Sequence, residues 1–172
     1  ERAASMTGKN VEGRGILIIH PPAAKACEAP GGPARLAGAL KAGGVTCRVW
    51  DANLEGQLAL MESTAQTLCD NSGTWTRRAI RHREANLAAL RSPEVYARPD
   101  RYRRAVMDVN RLLAAAARPA GVRLSLADYE DHRLAPVRSA DLLTAAAEPD
   151  ANPFHPWFAG RLEEILAEAP VS

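Results

Sequence analysis

The sequence predicts an α/β fold: a partial Rossmann-like βαβ unit with a short parallel sheet, followed by a predominantly helical region. The continuous apolar run Ile16–Ile19 is typical of a strand that is buried on both faces. A second strand pattern, Val45–Trp50, follows a helical segment of small residues, and a helix between two strands is the usual crossover of a parallel pair. Beyond residue 54, apolar residues recur mainly at helical spacing.

The elements of the βαβ unit have distinct boundary signals. Residues 21–32 form a loop rich in Pro, Ala and Gly. Pro33 suits the first turn of the helix, because the N–H that proline lacks would have no partner there. Gly43 and Gly44 are expected to end the helix, since glycine is the commonest residue just after a helix C-terminus.

The rest of the chain is predicted to form helices, each with one apolar face. The residues expected to face inward are Leu54, Leu58 and Met61; Trp75, Ala79, Ile80, Leu87 and Leu90; Tyr102, Val106, Val109 and Leu113; and Phe158, Leu162 and Ile165. Ser139 precedes a short Leu/Ala helix. Residues Val122–Leu126 alternate as a strand does, but Asp128 and Tyr129 favour an irregular segment.

These patterns predict three regions: a flexible N-terminal segment at 1–13, the βαβ unit at 14–56, and a helical insertion or extension at 57–172. The chain is expected to stop before a third strand of the sheet. The apolar edge of the first strand would then be unpaired, and an unpaired edge is a template for another strand. We therefore expect either self-association into a homo-oligomer through that edge or its pairing with Val122–Leu126.

Composition argues against several classes of function. The chain has 172 residues, 47% of them apolar, and a net charge of +2. This small charge gives no support for a nucleic-acid or membrane partner, and no apolar run approaches the roughly 20 residues that span a bilayer. No secretory signal is visible. Cys27, Cys47 and Cys69 form no metal or redox motif, so a reducing, cytoplasmic location is expected.

The candidate cofactor-binding residues lie where the two strands end and where the first helix begins. They are His20, Pro21, Pro22, Gly31, Gly32, Asp51 and Asn53. Open α/β sheets bind ligands outside the carboxyl ends of their strands. Glycines before a helix let a ligand approach the backbone, and the helix N-terminus favours a polar or anionic group. Two alternatives stay open: a plain βα connection for the glycines, and a helix cap for Asp51 or Asn53.

No catalytic or metal-binding group is predicted. The four histidines are scattered along the chain, and no Ser/His/Asp or Cys/His arrangement is apparent. The sequence has no G-x-G-x-x-G or Walker pattern, which argues against a dinucleotide or a nucleoside triphosphate. The basic stretch Arg77–Arg83 is interpreted as a solvated helix face, with docking against an acidic neighbouring domain as the alternative.

Ile16–Pro22, Gly31–Leu40 and Val45–Asn53 resemble the start of the cobalamin-binding domains of B12-dependent radical SAM proteins. The shared features are a buried strand, a Pro-Pro loop, a helix containing Leu36-Ala37 and Leu40, and a second strand that ends in Asp51. A subgroup with a helical insertion is similar further along the chain, at Asn86-Leu87, Tyr96, Asp100–Tyr102, Leu124–Tyr129, Asp141–Leu143 and Asn152–Phe154.

The resemblance implies that residues 14–56 begin a cobalamin-binding-like domain and supply part of a cobalamin site, without a histidine ligand to the cobalt. It also implies a [4Fe–4S] cluster and S-adenosylmethionine in a downstream radical SAM domain of the same protein, the expected partner. The Cys-x-x-x-Cys-x-x-Cys motif of that domain is absent from these 172 residues. This region is therefore expected to be non-catalytic by itself, as an N-terminal part of an enzyme.

Two other functions remain open. One is the acceptor domain of a two-domain glycosyltransferase, which also begins with a strand, a Gly-Gly loop, a Leu-rich helix and a second strand. That class normally continues with further βα units by residue 80, where this sequence is helical. The other is a non-enzymatic helical interaction module in which the short sheet has only a structural role.

Overall fold

The structure, a computed structural model, describes residues 15–22, 25–67 and 73–168 and is mostly helical over them. The predicted flexible segment 1–13 and Cys69 lie outside the described residues. The strands and helices, in chain order, are β1 (Ile16–His20), α1 (Gly31–Ala42), β2 (Cys47–Asp51), α2 (Ala52–Thr67), α3 (Thr74–Arg81), α4 (Arg83–Leu90), α5 (Pro99–Ala117), β3 (Val122–Leu124), β4 (Tyr129–Asp131), α6 (Ser139–Ala147) and α7 (His155–Glu168).

The predicted parallel βαβ unit is present. Strands β1 and β2 pair in parallel from Ile16 opposite Cys47 to His20 opposite Asp51, and α1 connects them. Within the described residues these two strands form a sheet by themselves. The α/β class with mostly helical content is thus confirmed, whereas the Rossmann-like character of the βαβ unit stays a prediction.

Helices cover both faces of this small sheet. Successive side chains of a strand point to opposite faces. On one face, the Cys47 thiol donates a weak hydrogen bond to the Ala37 carbonyl of α1, with 3.7 Å between sulfur and oxygen. On the other, Trp50 and the half-buried Leu17 and Ile19 pack against α7, whose Ile165 is buried with them. The sheet is therefore the middle layer between α1 and α7.

The main hydrophobic core surrounds α5. This helix packs against α2, α3, α4 and β3. Its Val109, Leu112 and Leu113 are fully buried. They form one cluster with residues of the surrounding elements, namely Met61, Ala79, Val122, Leu124 and Phe154. The apolar stripe of α5 therefore organises the helical part of the protein.

The predicted inward faces are confirmed at Met61, Ala79, Val109, Leu113 and Ile165, which are all buried. Other predicted positions are wrong. Leu54 lies on the exposed side of the first turn of α2, with 42% of its surface exposed. Trp75 is 62% exposed, because its ring packs beside the guanidinium groups of Arg78 and Arg111 instead of in the core.

Tyr102 is a similar case at the start of α5. It is 40% exposed and packs against the Tyr96 ring, with 5.5 Å between the ring centroids. The residues predicted to form one helix after Gly73 instead form two, α3 and α4, which are separated at His82. The helical period was correct in this region, but the continuity of the helix was not.

The predicted pairing of Val122–Leu126 with β1 is wrong. Strand β3 pairs antiparallel with β4, and Ser125 N–H donates to the Asp128 carbonyl in the turn between them. The segment expected to be irregular therefore contains β4. A partner a few residues away needs only a short loop, which costs less chain entropy than a partner a hundred residues away. The segment touches the loop after β1, where the Leu126 carbonyl accepts a hydrogen bond from Cys27 N–H at 3.3 Å.

Helix α2 runs without interruption from Ala52 to Thr67, through the predicted boundary between residues 56 and 57. At that boundary α2 meets α7 at very close range. A Cβ atom placed on Gly56 would lie 3.0 Å from Cζ3 of Trp157 and 3.1 Å from Cδ1 of Phe154. Only glycine therefore allows the two helices to approach this closely.

We expect Gly56→Ala to lower the free energy of unfolding by about 0.5–2 kcal/mol, because the cost of overpacking a close contact between rings and backbone, about 1–3 kcal/mol, exceeds the gain of up to about 1 kcal/mol from replacing glycine within a helix. The matched control is Gly38→Ala in α1, where an added Cβ meets no atom within 4 Å. That variant should gain about 0.5–1 kcal/mol, the cost of glycine within a helix. Urea denaturation measures both changes. Equal effects of the two substitutions would contradict the close approach at Gly56.

Candidate functional site

The carboxyl edge of the sheet brings together the ends of both strands. His20 and Asp51 are register partners at the last positions of β1 and β2, and both are half-buried. Pro21 is exposed and Pro22 is half-buried in the connection that follows β1. The structure therefore places four predicted site residues along one short edge. We call these four residues, together with Gly31 and Gly32, the βα rim.

Gly31 and Gly32 form the first turn of α1 and are exposed. A Cβ atom added to either residue would meet no atom within 4 Å, so both glycines border open space. The residue before the helix is Pro30, which provides no side-chain cap, and the first turn contains no acidic residue. The positive end of the α1 dipole is therefore not offset by a side chain of its own first turn.

Asp51 has a local structural role. Its Oδ1 accepts a hydrogen bond from Leu54 N–H at 3.0 Å, which is the geometry of an N-cap on α2. The alternative assignment as a helix cap is thus confirmed for Asp51. Capping uses one carboxylate oxygen and fixes the direction in which the chain leaves β2.

Asn53 does not belong to the open rim. It is the second residue of α2, only 2% of its surface is exposed, and its Oδ1 accepts a hydrogen bond from Gln57 Nε2 at 3.3 Å. A polar residue just after a strand is expected at the edge of the sheet, but the helix begins at Ala52 and turns Asn53 inward. The structure therefore separates Asn53 from His20, Asp51 and the two glycines.

Trp50, next to Asp51 in β2, is held by buried contacts that fix the end of this strand. The sequence did not identify it as part of the site. Its ring stacks on Phe158 with 5.2 Å between centroids, and its Nε1 donates to a Glu55 carboxylate oxygen at 3.1 Å. Only 3% of its surface is exposed. A tryptophan at the penultimate position of a short strand is the signal that could have identified this support.

A concave feature lies between α3, α4 and the first half of α5. We call it the cationic groove; it has a volume of about 510 Å³. Its arginines are Arg78, Arg98, Arg101 and Arg104. Sequence analysis singled out Arg77–Arg83 alone and missed the arginines of α5. Their spacing of three residues, from 98 to 101 to 104, is the signal that places them on one side of a helix.

Two kinds of feature are absent from the described residues. Among them, no group of three or more His, Cys, Asp or Glu side chains is arranged to hold a metal ion. None of the helices they form combines the length and apolar character needed to cross a bilayer.

The cap at Asp51 can be tested by substitution. Asp51→Ala should lower the free energy of unfolding by about 0.5–2 kcal/mol, because Leu54 N–H loses its acceptor at the helix N-terminus. Asp51→Asn keeps a side-chain oxygen at the same position and should retain most of the stability. Thermal unfolding followed by circular dichroism distinguishes the two variants. A loss as large in Asp51→Asn as in Asp51→Ala would contradict the capping role.

Comparison of the chain with protein-family models, curated proteins and solved structures finds no match. The description of the rim and the groove therefore rests on their residues and geometry. The resemblance to cobalamin-binding domains of radical SAM proteins stays a prediction from the residues that carry it.

Proposed function

We propose that this region is a cobalamin-binding-type domain of a radical SAM enzyme and that its βα rim forms one wall of the cofactor site. The observation that carries this proposal is the parallel register of β1 and β2. It sets His20 beside Asp51 at the carboxyl edge, on the side of the sheet where open α/β folds bind their ligands.

The chemistry of the rim fits a broad ligand better than a small one. Cobalamin presents a wide corrin ring with amide side chains around it, so it needs an open surface with scattered polar groups. The exposed first turn of α1 leaves free space above Gly31 and Gly32. His20 borders this surface, and the resemblance implies that it does not ligate the cobalt. When bound, cobalamin would supply methyl-transfer chemistry.

The rest of the cofactor site, the [4Fe–4S] cluster and S-adenosylmethionine are assigned by this proposal to the downstream radical SAM domain of the same protein. The region itself would position cobalamin and would not catalyse a reaction. The glycosyltransferase alternative is less well supported, because β2 is followed by four helices and a β-hairpin within the described residues.

A non-enzymatic interaction module is the second candidate, and α6 favours it. This helix contains no buried residue. Leu142 and Leu143 are 55% and 73% exposed, and Val137 just before the helix is 90% exposed. Apolar side chains grouped on one exposed element are typical of a surface that contacts another domain or protein.

NMR titration with diamagnetic cyanocobalamin tests the first proposal. We expect shifts in the backbone amide signals of His20, Gly31, Gly32 and Asp51. Binding should be weaker than about 1 µM, equivalent to about −8 kcal/mol, because one wall encloses little of the ligand. His20→Ala should bind equally well. The absence of shifts at the rim, or their restriction to other elements, would refute the assignment.

A pair of glycine variants provides the control for this titration. Gly32→Phe places a ring over the rim and should weaken cyanocobalamin binding at least tenfold, or about 1.4 kcal/mol. Gly160→Phe puts the same ring on α7, at a site that also has open space around it, and should leave binding unchanged. An equal loss in both variants would indicate nonspecific association of the ligand.

We also propose that two copies of the chain pair through the free edge of β1. Among the described strands, β1 has β2 as its only neighbour, and Ile16 is 43% exposed. Ile16→Lys should reduce self-association, because a charge on an edge strand opposes further pairing. Met107→Lys, at a 51% exposed site on α5 outside the sheet, is the matched control. Sedimentation velocity over a wide concentration range measures both, and a wild-type protein that stays monomeric would overturn the proposal.

A further inference from the structure

The cationic groove is built from two facing rows of side chains. Arg101, Arg104 and Asp108 lie at intervals of three and four residues along one side of α5. Arg78, His82 and Asn86 line the opposite wall at intervals of four residues across α3 and α4. The groove is therefore formed by elements that are not part of the βα rim.

Positive charge is concentrated around this groove. Residues 73–111 contain ten arginines and four carboxylates, a net charge of +6, whereas the whole chain has a net charge of +2. The rest of the sequence is consequently acidic, with a net charge of −4. The groove lining itself combines four arginines with Asp100 and Asp108, so it remains positive with His82 neutral.

Some arginines of the protein form ion pairs with carboxylates, but among the described residues the arginines of the groove form none. Arg161 forms an ion pair with Glu164 at 2.8 Å, and Arg83 with Glu62 at 2.6 Å. Within the described ranges, no carboxylate lies within 4.0 Å of the guanidinium nitrogens of Arg98, Arg101 or Arg104. Their mutual repulsion is offset only in part, by the carboxylates of Asp100 and Asp108 in the same lining.

The position of these arginines on α5 adds a second unfavourable interaction. Arg98 is the N-cap residue and Arg101 lies in the first turn, next to the positive end of the dipole of a 19-residue helix, and the carboxylate of Asp100 in the same turn offsets only part of this positive charge. Cations at a helix N-terminus destabilise it, whereas an anion there is stabilising. Local rules of this kind are broken mainly at functional sites. An anion between the two walls would offset both the repulsion and the dipole.

The walls of the groove are held in place by contacts that some of their own side chains make. Asn86 Nδ2 donates to Asp108 Oδ2 at 3.2 Å, which connects α4 to α5 at a carboxylate that is only 6% exposed. The Arg78 guanidinium lies 5.9 Å from the centre of the Trp75 ring, and Arg111 contacts the same ring at 5.7 Å. Arg78 is therefore oriented before any ligand arrives.

We propose that the cationic groove binds the phosphate groups of a small phosphorylated molecule. Guanidinium groups bind phosphate oxygens in a bidentate geometry, which lysine cannot reproduce. The volume of about 510 Å³ lies within the range of small-molecule sites. A nucleic acid strand would require a positive track that extends beyond one groove. This inference does not depend on cobalamin binding at the βα rim.

Inorganic pyrophosphate is the probe for the test, with NMR detection of the arginine Nε–H and backbone signals. Signals of Arg78, Arg101 and Arg104 should shift, with a dissociation constant of about 1 mM or tighter. Arg101→Gln/Arg104→Gln should weaken binding at least tenfold. Arg103→Gln is the matched control, since Arg103 is exposed on the same helix but does not line the groove.

A stability measurement checks that the double variant folds. Without pyrophosphate it should melt at a higher temperature than the wild type, because it removes repulsive charges; with pyrophosphate the wild type alone should gain stability. Equal weakening in Arg103→Gln would show nonspecific attraction and overturn the site. Absence of shifts near 1 mM would also overturn it. A single-stranded oligonucleotide that binds far more tightly than pyrophosphate would replace the proposal with nucleic-acid binding.

Discussion

The close contact of α7 with α2 at Gly56 is the interaction on which the rest of the structure depends. Because glycine has no side chain, the Phe154 and Trp157 rings lie against the α2 backbone. Phe154 belongs to the core around α5, whereas Trp157 packs with Trp50 against the sheet. One short segment therefore connects two hydrophobic clusters, and each buried ring removes about 150–250 Å² of surface from water.

The βα rim depends on this contact through β2. Trp50 is stacked on Phe158 of α7, and its Nε1 is bonded to Glu55 in α2. Asp51 follows immediately and caps α2. The end of β2, and with it the position of Asp51 beside His20, is thus fixed by a helix that lies a hundred residues later in the chain. A two-stranded sheet has little stability by itself, so the rim requires both α1 and α7.

The elements that the sequence predicted correctly are those whose signals lie in neighbouring residues. The apolar run of β1, the glycines around α1 and the helical spacing in α5 each depend on neighbouring residues, and those elements are present. What it missed depends on distant partners. Trp75 fits an apolar stripe, but its place on the surface follows from Arg111, which is 36 residues later in the chain. Asn53 was assigned to the rim because no local pattern revealed that α2 would turn it inward.

The same distinction explains why most residues of the βα rim could be predicted from the sequence, whereas the set of arginines in the cationic groove could not. The βα rim is made of backbone, glycine and strand ends, so its residues are grouped around two short segments. The cationic groove is made of side chains from three helices, and Arg78 and Arg104 become neighbours only because α3, α4 and α5 share the buried face around Val109. That buried face determines which arginines converge. The excess of positive charge at the start of α5 is therefore a consequence of how the core packs, and the proposed anion would offset it.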